Sequence, residues 1–203
     1  MRAETRGGSI HIGPVRGAVE AETSGGSIHI GPGQGYIKAE TSGGSIEIKG
    51  SGGLVEAETS GGSIEIRGAR GAIEAETAGG DIEAELVLDS WEADTHCKLE
   101  TSGGDIVFYM PAHLPATLDA ELKVKRKAGG DYGIYSDFPL VVEGEGSKRI
   151  TGWGEVNGGG DLIELGATDG DIRSAIPGGR IGLALHLLRH PGLAPGTSKK
   201  ATM

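Results

Sequence analysis

Apolar and polar residues alternate in short bursts along the first hundred residues, and glycine or serine bounds each burst. In Ile64-Glu65-Ile66 the isoleucines face one way and the glutamate the other. Ile73-Glu74-Ala75-Glu76-Thr77 alternates in the same manner. A period of two over three to five residues, closed by Gly and Ser, predicts half-buried β-strands. Paired glycines such as Gly61-Gly62 suit tight turns, and positive φ is the expected reason for them.

The bursts repeat. Segments of one pattern begin at Ala3, Ala21, Ala39, Ala57, Ala75 and Leu99, and the ten letters A-E-T-S-G-G-S-I-E-I occur identically at Ala39 and Ala57. The first five starts are 18 residues apart and the sixth follows after 24, so six extra residues lie between Ala84 and His96. Fixed-period self-similarity marks a repeat architecture. The match is far better at 18 than at 9 residues, which favours a solenoid of identical two-strand coils over an antiparallel meander. Stacking would then align Ile28, Ile46, Ile64 and Ile82 in one column and Val19, Ile37, Val55 and Ile73 in another. Isoleucine facing alanine across a thin two-sheet core fills space well.

Two other 18-residue coils are disfavoured. Left-handed hexapeptide helices need a period of six, which the Gly-Gly spacing does not have. The calcium-binding roll repeats G-G-x-G-x-D-x-U-x, yet Ile64 and Ile66 stand where it has Gly and Asp. The expectation is a calcium-independent roll with no metal and no cofactor.

After Phe108 the pattern loosens. Pro111 and Pro115 break the chain, and Leu118, Ala120, Leu122 and Val124 then alternate with charged residues as one longer strand. Val141-Val142 is expected to be the buried part of residues 128–147. Trp153, in a glycine-rich stretch, is expected to pack as a lid, and Asp161 to Ile172 to add one or two strands. The reading is therefore an all-β parallel solenoid over residues 1–110, an irregular β C-terminal cap over 111–176, and a tail over 177–203. The tail is expected to be disordered apart from a short helix at 181–189. A cap that differs from the repeats protects an open sheet edge.

Composition sharpens this picture. Glycine supplies 39 of 203 residues and Cys97 is the sole cysteine, so neither a large mixed α/β core nor a disulfide scaffold is expected. Net charge is −10, and residues 1–110 carry all of it, with 18 acidic against 8 basic residues. Such a half disfavours nucleic acid and anionic membrane surfaces. No stretch is long and apolar enough for a transmembrane helix. Met1 runs straight into repeat sequence without a signal peptide, which leaves a cytoplasmic address or export signals further upstream.

The candidate chemistry lies on the outward carboxylates. Glu22, Glu40, Glu58 and Glu76 form one column, and Glu20, Glu56 and Glu74 a neighbouring one relieved by Lys38. They are either a face for a cationic partner or a solvated, solubilising surface. His11, His29 and Glu47 share a column that could in principle hold zinc, but three groups in a straight line converge poorly on one ion. Cys97 falls in the Val55 and Ile73 column and is expected to be a buried thiol, with His96 on the turn, so no Cys-His nucleophile is expected. The threonines 23, 41, 59, 77 and 101 should lie on the core side as a hydroxyl ladder at the coil corner, not as an outward ice-binding face. Asp81, Asp105, Asp169 and Asp171 sit in turns or close the last strand, with no basic partner evident.

The A-E-T-S-G-G-S-I-E-I repeats, the G-G-D-I at 79–82 and 103–106, and G-G-G-D-L-I-E-L with D-G-D-I between Gly158 and Ile172 resemble a bacterial adhesin-like family. That family is a β-strand-repeat domain of unknown function, related to the head-GIN adhesin-like proteins. The stretches L-P-A-T-L-D-A from Leu114 and S-D-F-P from Ser136 resemble its C-terminal half. The resemblance covers residues 1–176. It implies a right-handed parallel β-solenoid, usually carried by exported or membrane-anchored envelope proteins, and brings no catalytic residues with it. The expected role is a non-enzymatic structural or interaction module of the envelope, adhesive in kind, with a cell-surface or cell-wall ligand or protein as partner. Two alternatives stand beside it. One is a polysaccharide-active enzyme with a cleft near Trp91 or near Tyr132, Tyr135 and Trp153. The other is a scaffold that self-associates through the solenoid ends, which an exposed Ile and Val edge on the first coil would favour.

Overall fold

The computed structural model describes residues 1–87, 93–125 and 132–178. The tail expectations beyond 178, the helix at 181–189 and Trp91 lie outside the described residues. All regular structure among the described residues is β.

Each 18-residue unit is one coil with one strand in each of two sheets. β1 (Arg2–Thr5), β3 (Val19–Thr23), β5 (Ile37–Thr41), β7 (Val55–Thr59), β9 (Ile73–Thr77) and β11 (Cys97–Thr101) stack in parallel as the first sheet. β2 (Ile10–Ile12), β4 (Ile28–Ile30), β6 (Ile46–Ile48), β8 (Ile64–Ala69), β10 (Ile82–Leu86) and β12 (Ile106–Tyr109) form the second. Register equals the repeat: Ala39 pairs with Ala57 and Ile46 with Ile64. The fold is a parallel β-solenoid. The predicted isoleucine and valine columns are buried in one continuous core, where each fully buried side chain contributes roughly 1.5–3 kcal/mol.

The corners correct one expectation. The paired glycines of the regular turns do not adopt positive φ; that conformation is confined to positions such as Gly68 and Gly144. The second glycine of each pair is needed because successive coils touch there. A Cβ on Gly62 would lie 2.2 Å from the Gly44 carbonyl oxygen, and one on Gly44 would lie 2.2 Å from that of Gly26. The threonines are buried on the core side, as alternation requires, but they do not bond one another. Thr41, Thr59 and Thr77 each donate an Oγ1–H bond of 2.8 Å to a glycine carbonyl of the preceding coil.

The C-terminal third is built out of sequence order. From β12 the chain runs to β13 (Ala116–Lys123) and β14 (Ile134–Ser136), then through β15 (Val141–Glu143) and β16 (Arg149–Val156). It returns as β17 (Asp161–Thr168) and β18 (Ile172–Ala175), which form a seventh coil between β11 and β13 in one sheet and between β12 and β14 in the other. Asp161 Oδ2 accepts both the backbone N–H and the hydroxyl of Thr95 at 2.9 Å, which anchors this coil to the sixth. Among the described residues the finished sheets have ten and eight strands.

Two local expectations fail in this region. Val141 is 63% exposed and Val142 only partly buried, because β15 is an edge strand. Trp153 is no lid: it points outward from β16 and is 52% exposed. At the other end Ile10 and Ile12 of the first coil are buried, whereas Val15 is partly exposed.

Candidate functional site

The outer face of the ten-stranded sheet collects the predicted carboxylates. Strict register aligns Glu4, Glu22, Glu40, Glu58, Glu76 and Glu100 in one column. The neighbouring column reads Arg2, Glu20, Lys38, Glu56, Glu74, Lys98 and Glu164, so Arg2 and Lys98 relieve it as well as Lys38. Strand spacing puts like charges about 4.8 Å apart, a repulsive arrangement.

Relief is uneven. Lys38 Nζ lies 2.8 Å from Glu40, Lys98 Nζ lies 3.2 Å from Glu100, and Arg2 reaches Glu4 and Glu22 at 3.7 and 3.9 Å. The hydrogen bonds to Glu40 and Glu100 raise the pKa of Lys38 and Lys98 respectively, so both stay charged. Glu56 accepts a 2.7 Å bond from the Tyr36 hydroxyl. Burial first, and that carboxylate second, push the phenol up to about 12. Among the described residues, Glu58, Glu74 and Glu76 have no cation at ion-pair distance. They line a shallow hollow of about 230 Å³ between Lys38 and Lys98.

A second hollow, of about 330 Å³, opens on the same face where the column breaks. Gly166 occupies the position next to Glu100 and is followed by Glu121 on β13. Asp119, Glu164 and Arg149 also line it, and Arg149 lies 2.9 Å from Glu121. Sequence reasoning did not find this hollow, because β13, β16 and β17 share no period that would align them.

The remaining candidates have structural roles. His11 and His29 stack with ring centroids 4.7 Å apart, and His29 Nδ1 is hydrogen-bonded to Glu47 at 2.8 Å. That bond and one from Lys49 hold the Glu47 carboxyl below its usual range. They line up along the sheet, and no group of three metal-ligating side chains converges among the described residues. Cys97 is fully buried beside Ile73, and desolvation pushes its thiol up to about 12, where it is inert as a nucleophile.

The turn aspartates extend a ladder that serine begins. Ser45 Oγ accepts the backbone N–H of Ser63 at 3.3 Å, Ser63 Oγ that of Asp81 at 3.2 Å, and Asp81 Oδ1 that of Asp105 at 2.8 Å. Contrary to expectation, two of these aspartates have a basic partner. Arg173 forms ion pairs with Asp105, at 3.6 Å, and with Asp171, and its guanidinium lies over the Tyr135 ring. Tyr135 belongs to β14 in the eight-stranded sheet, whereas Trp153 belongs to the ten-stranded one. The topology therefore keeps these two aromatics apart.

No protein family, no curated protein and no solved structure matches this chain.

Proposed function

We propose that this chain is a non-enzymatic structural or interaction module of a bacterial cell envelope, adhesive in kind. Its binding surface is the outer face of the ten-stranded sheet. The observation that carries the reading is the pair of in-register carboxylate columns, with Glu58, Glu74 and Glu76 left without a cationic partner among the described residues. Aligned like charges cost stability, and a lysine in place of Glu56, as at Lys38, would relieve them. Holding that charge on a rigid, flat, repeating surface suits a multivalent partner carrying positive groups, or one bridged by cations. The resemblance of the repeats to adhesin-like envelope proteins supports the cellular setting. Both hollows on this face are open and shallow, which suits surface binding better than the enclosed chemistry of a polysaccharide enzyme.

The test is retention of purified full-length protein on cell-wall material, with and without calcium. A triple variant carrying Glu40→Gln, Glu58→Gln and Glu76→Gln provides the comparison. Saturable binding lost in the variant supports the acidic face as the site. A folded wild-type protein that binds under neither condition overturns it.

A further inference from the structure

We propose that the C-terminal end of this same face carries a saccharide subsite, with Trp153 as its stacking platform. The inference rests on the interaction-module reading and names a ligand class for one part of its surface. The regular coils present charged side chains outward. Aside from Met1, the large apolar side chains exposed among the described residues are Val141, Trp153 and Leu162. All three come from the last strands of the ten-stranded sheet, β15, β16 and β17.

Trp153 is held for contact from outside. It is flanked by Gly152 and Gly154, which let the chain at Ile134 to Leu140 cross directly beneath. A Cβ on Gly154 would lie 2.3 Å from the Pro139 carbonyl oxygen, and one on Gly152 would lie 3.3 Å from Ile134. The strand is thus pinned from below, while the indole stands in solvent without a ring or cation partner among the described residues. Its register neighbours are Val141 on one side and Asp119 on the other, and Glu164 follows Asp119. Asp119 and Glu164 also line the 330 Å³ hollow, with Glu121, Thr151 and Arg149.

An exposed indole next to Asp119, which in turn lines a hollow holding the Thr151 hydroxyl and the Arg149 guanidinium, matches the two-sided chemistry of a saccharide spanning both. The C–H face of the sugar covers the ring, and its hydroxyls both donate to carboxylates and accept from Arg149. The apolar area is confined to a few side chains in a charged surround, which is small for a protein partner but sufficient for one or two sugar rings. The lining is acid-rich, with Glu76, Glu100, Asp119, Glu121 and Glu164 against Lys123 and Arg149, which favours a neutral saccharide over an anionic one.

The experiment is titration calorimetry of the full chain with cellohexaose and with chitohexaose, which separates plain from N-acetylated sugars. Saturable binding of either is expected. Trp153→Ala should weaken it at least about tenfold, the scale of an aromatic anchor, while Trp153→Phe should retain most of it. A double variant carrying Glu40→Gln and Glu58→Gln, neither of which lines this hollow, should bind these sugars normally. No binding of either hexamer, or equal binding by Trp153→Ala, overturns the inference. So does a wild-type dimer that Trp153→Ala converts to a monomer, since the patch would then seat a second copy. Cell-wall retention that survives Trp153→Ala but not the triple glutamine variant would sink the saccharide subsite and leave the acidic face standing.

Discussion

Asp105 Oδ1 accepts the backbone N–H of Asp171 at 2.7 Å, across 66 residues of sequence. The bond repeats, one coil later, the one in which Asp81 Oδ1 accepts the Asp105 N–H, and it docks the returning strand pair onto the sixth coil in register. In the earlier coils a serine hydroxyl does the same work. Asp105→Ala should therefore cost about 1 kcal/mol, the net worth of one such bond, and Asp105→Ser should recover part of it. Urea denaturation of the three proteins measures this. Equal midpoints for wild type and the alanine variant would remove the ladder from the stability argument.

Gly61 and Gly62 are adjacent yet should respond oppositely to alanine. A Cβ at Gly61 meets nothing closer than 3.7 Å, whereas at Gly62 it would press on the backbone of the preceding coil. Gly61→Ala is expected to be near neutral. Gly62→Ala should destabilise by about 1–3 kcal/mol or more, as overpacking does. Thermal melts of both variants check the contrast, and similar losses would remove contact between coils as the explanation.

Carboxylate repulsion predicts a stabilising substitution. Glu58→Gln and Glu76→Gln should each raise stability by about 0.2–1 kcal/mol in low salt, with the gain shrinking as salt screens the wild-type column. Denaturation at two ionic strengths reads both effects. A loss of stability in either variant would show that these glutamates are engaged by a favourable partner.

Cys97 should be silent to thiol reagents in the native protein and react on unfolding. Its folded-state pKa of about 12 lies above the unfolded value of about 8.5. Its contribution is therefore full below about pH 8.5 and is lost as pH rises from there towards 12, because only the unfolded chain ionises readily. Cys97→Val, which suits the column, should flatten part of that alkaline decline at a cost below about 1.5 kcal/mol. An aromatic disulfide reagent and melts across alkaline pH test both statements.

Position in the sheet, not in the chain, should govern protection of β17. It lies between β11 and β13, with both edges hydrogen-bonded, so its amides should exchange as slowly as those of β7. The edge strand β15 should exchange early. Hydrogen-exchange mass spectrometry decides this, and rapid exchange of Ile163 to Ala167 would contradict the inserted-coil topology.

The parallel roll, its coil length, the core columns, the Cys97 position and the glutamate columns were legible because one physical rule governs them. Strands of constant spacing stack like on like, so a sequence period becomes a register. Val141-Val142 misled because two residues carry no alternation from which to assign a face. The turn glycines misled because the common reason for glycine, positive φ, was taken where contact between coils is the actual one. The turn aspartates show no basic partner in the sequence because the one that Asp105 shares with Asp171, Arg173, lies on another coil from Asp105.

The amino-acid sequence by itself thus determined the repeating part of this protein, including the face on which its charge is displayed. The tertiary structure alone decided that the last strands slot between earlier ones, that a hollow forms where Gly166 follows Glu100, and that Trp153 stands outward beside it. The reason lies in the separation of the partners. Contacts at a fixed 18 residues leave a period in the letters, whereas contacts across 43 or 66 residues are set by how the chain turns back and leave none.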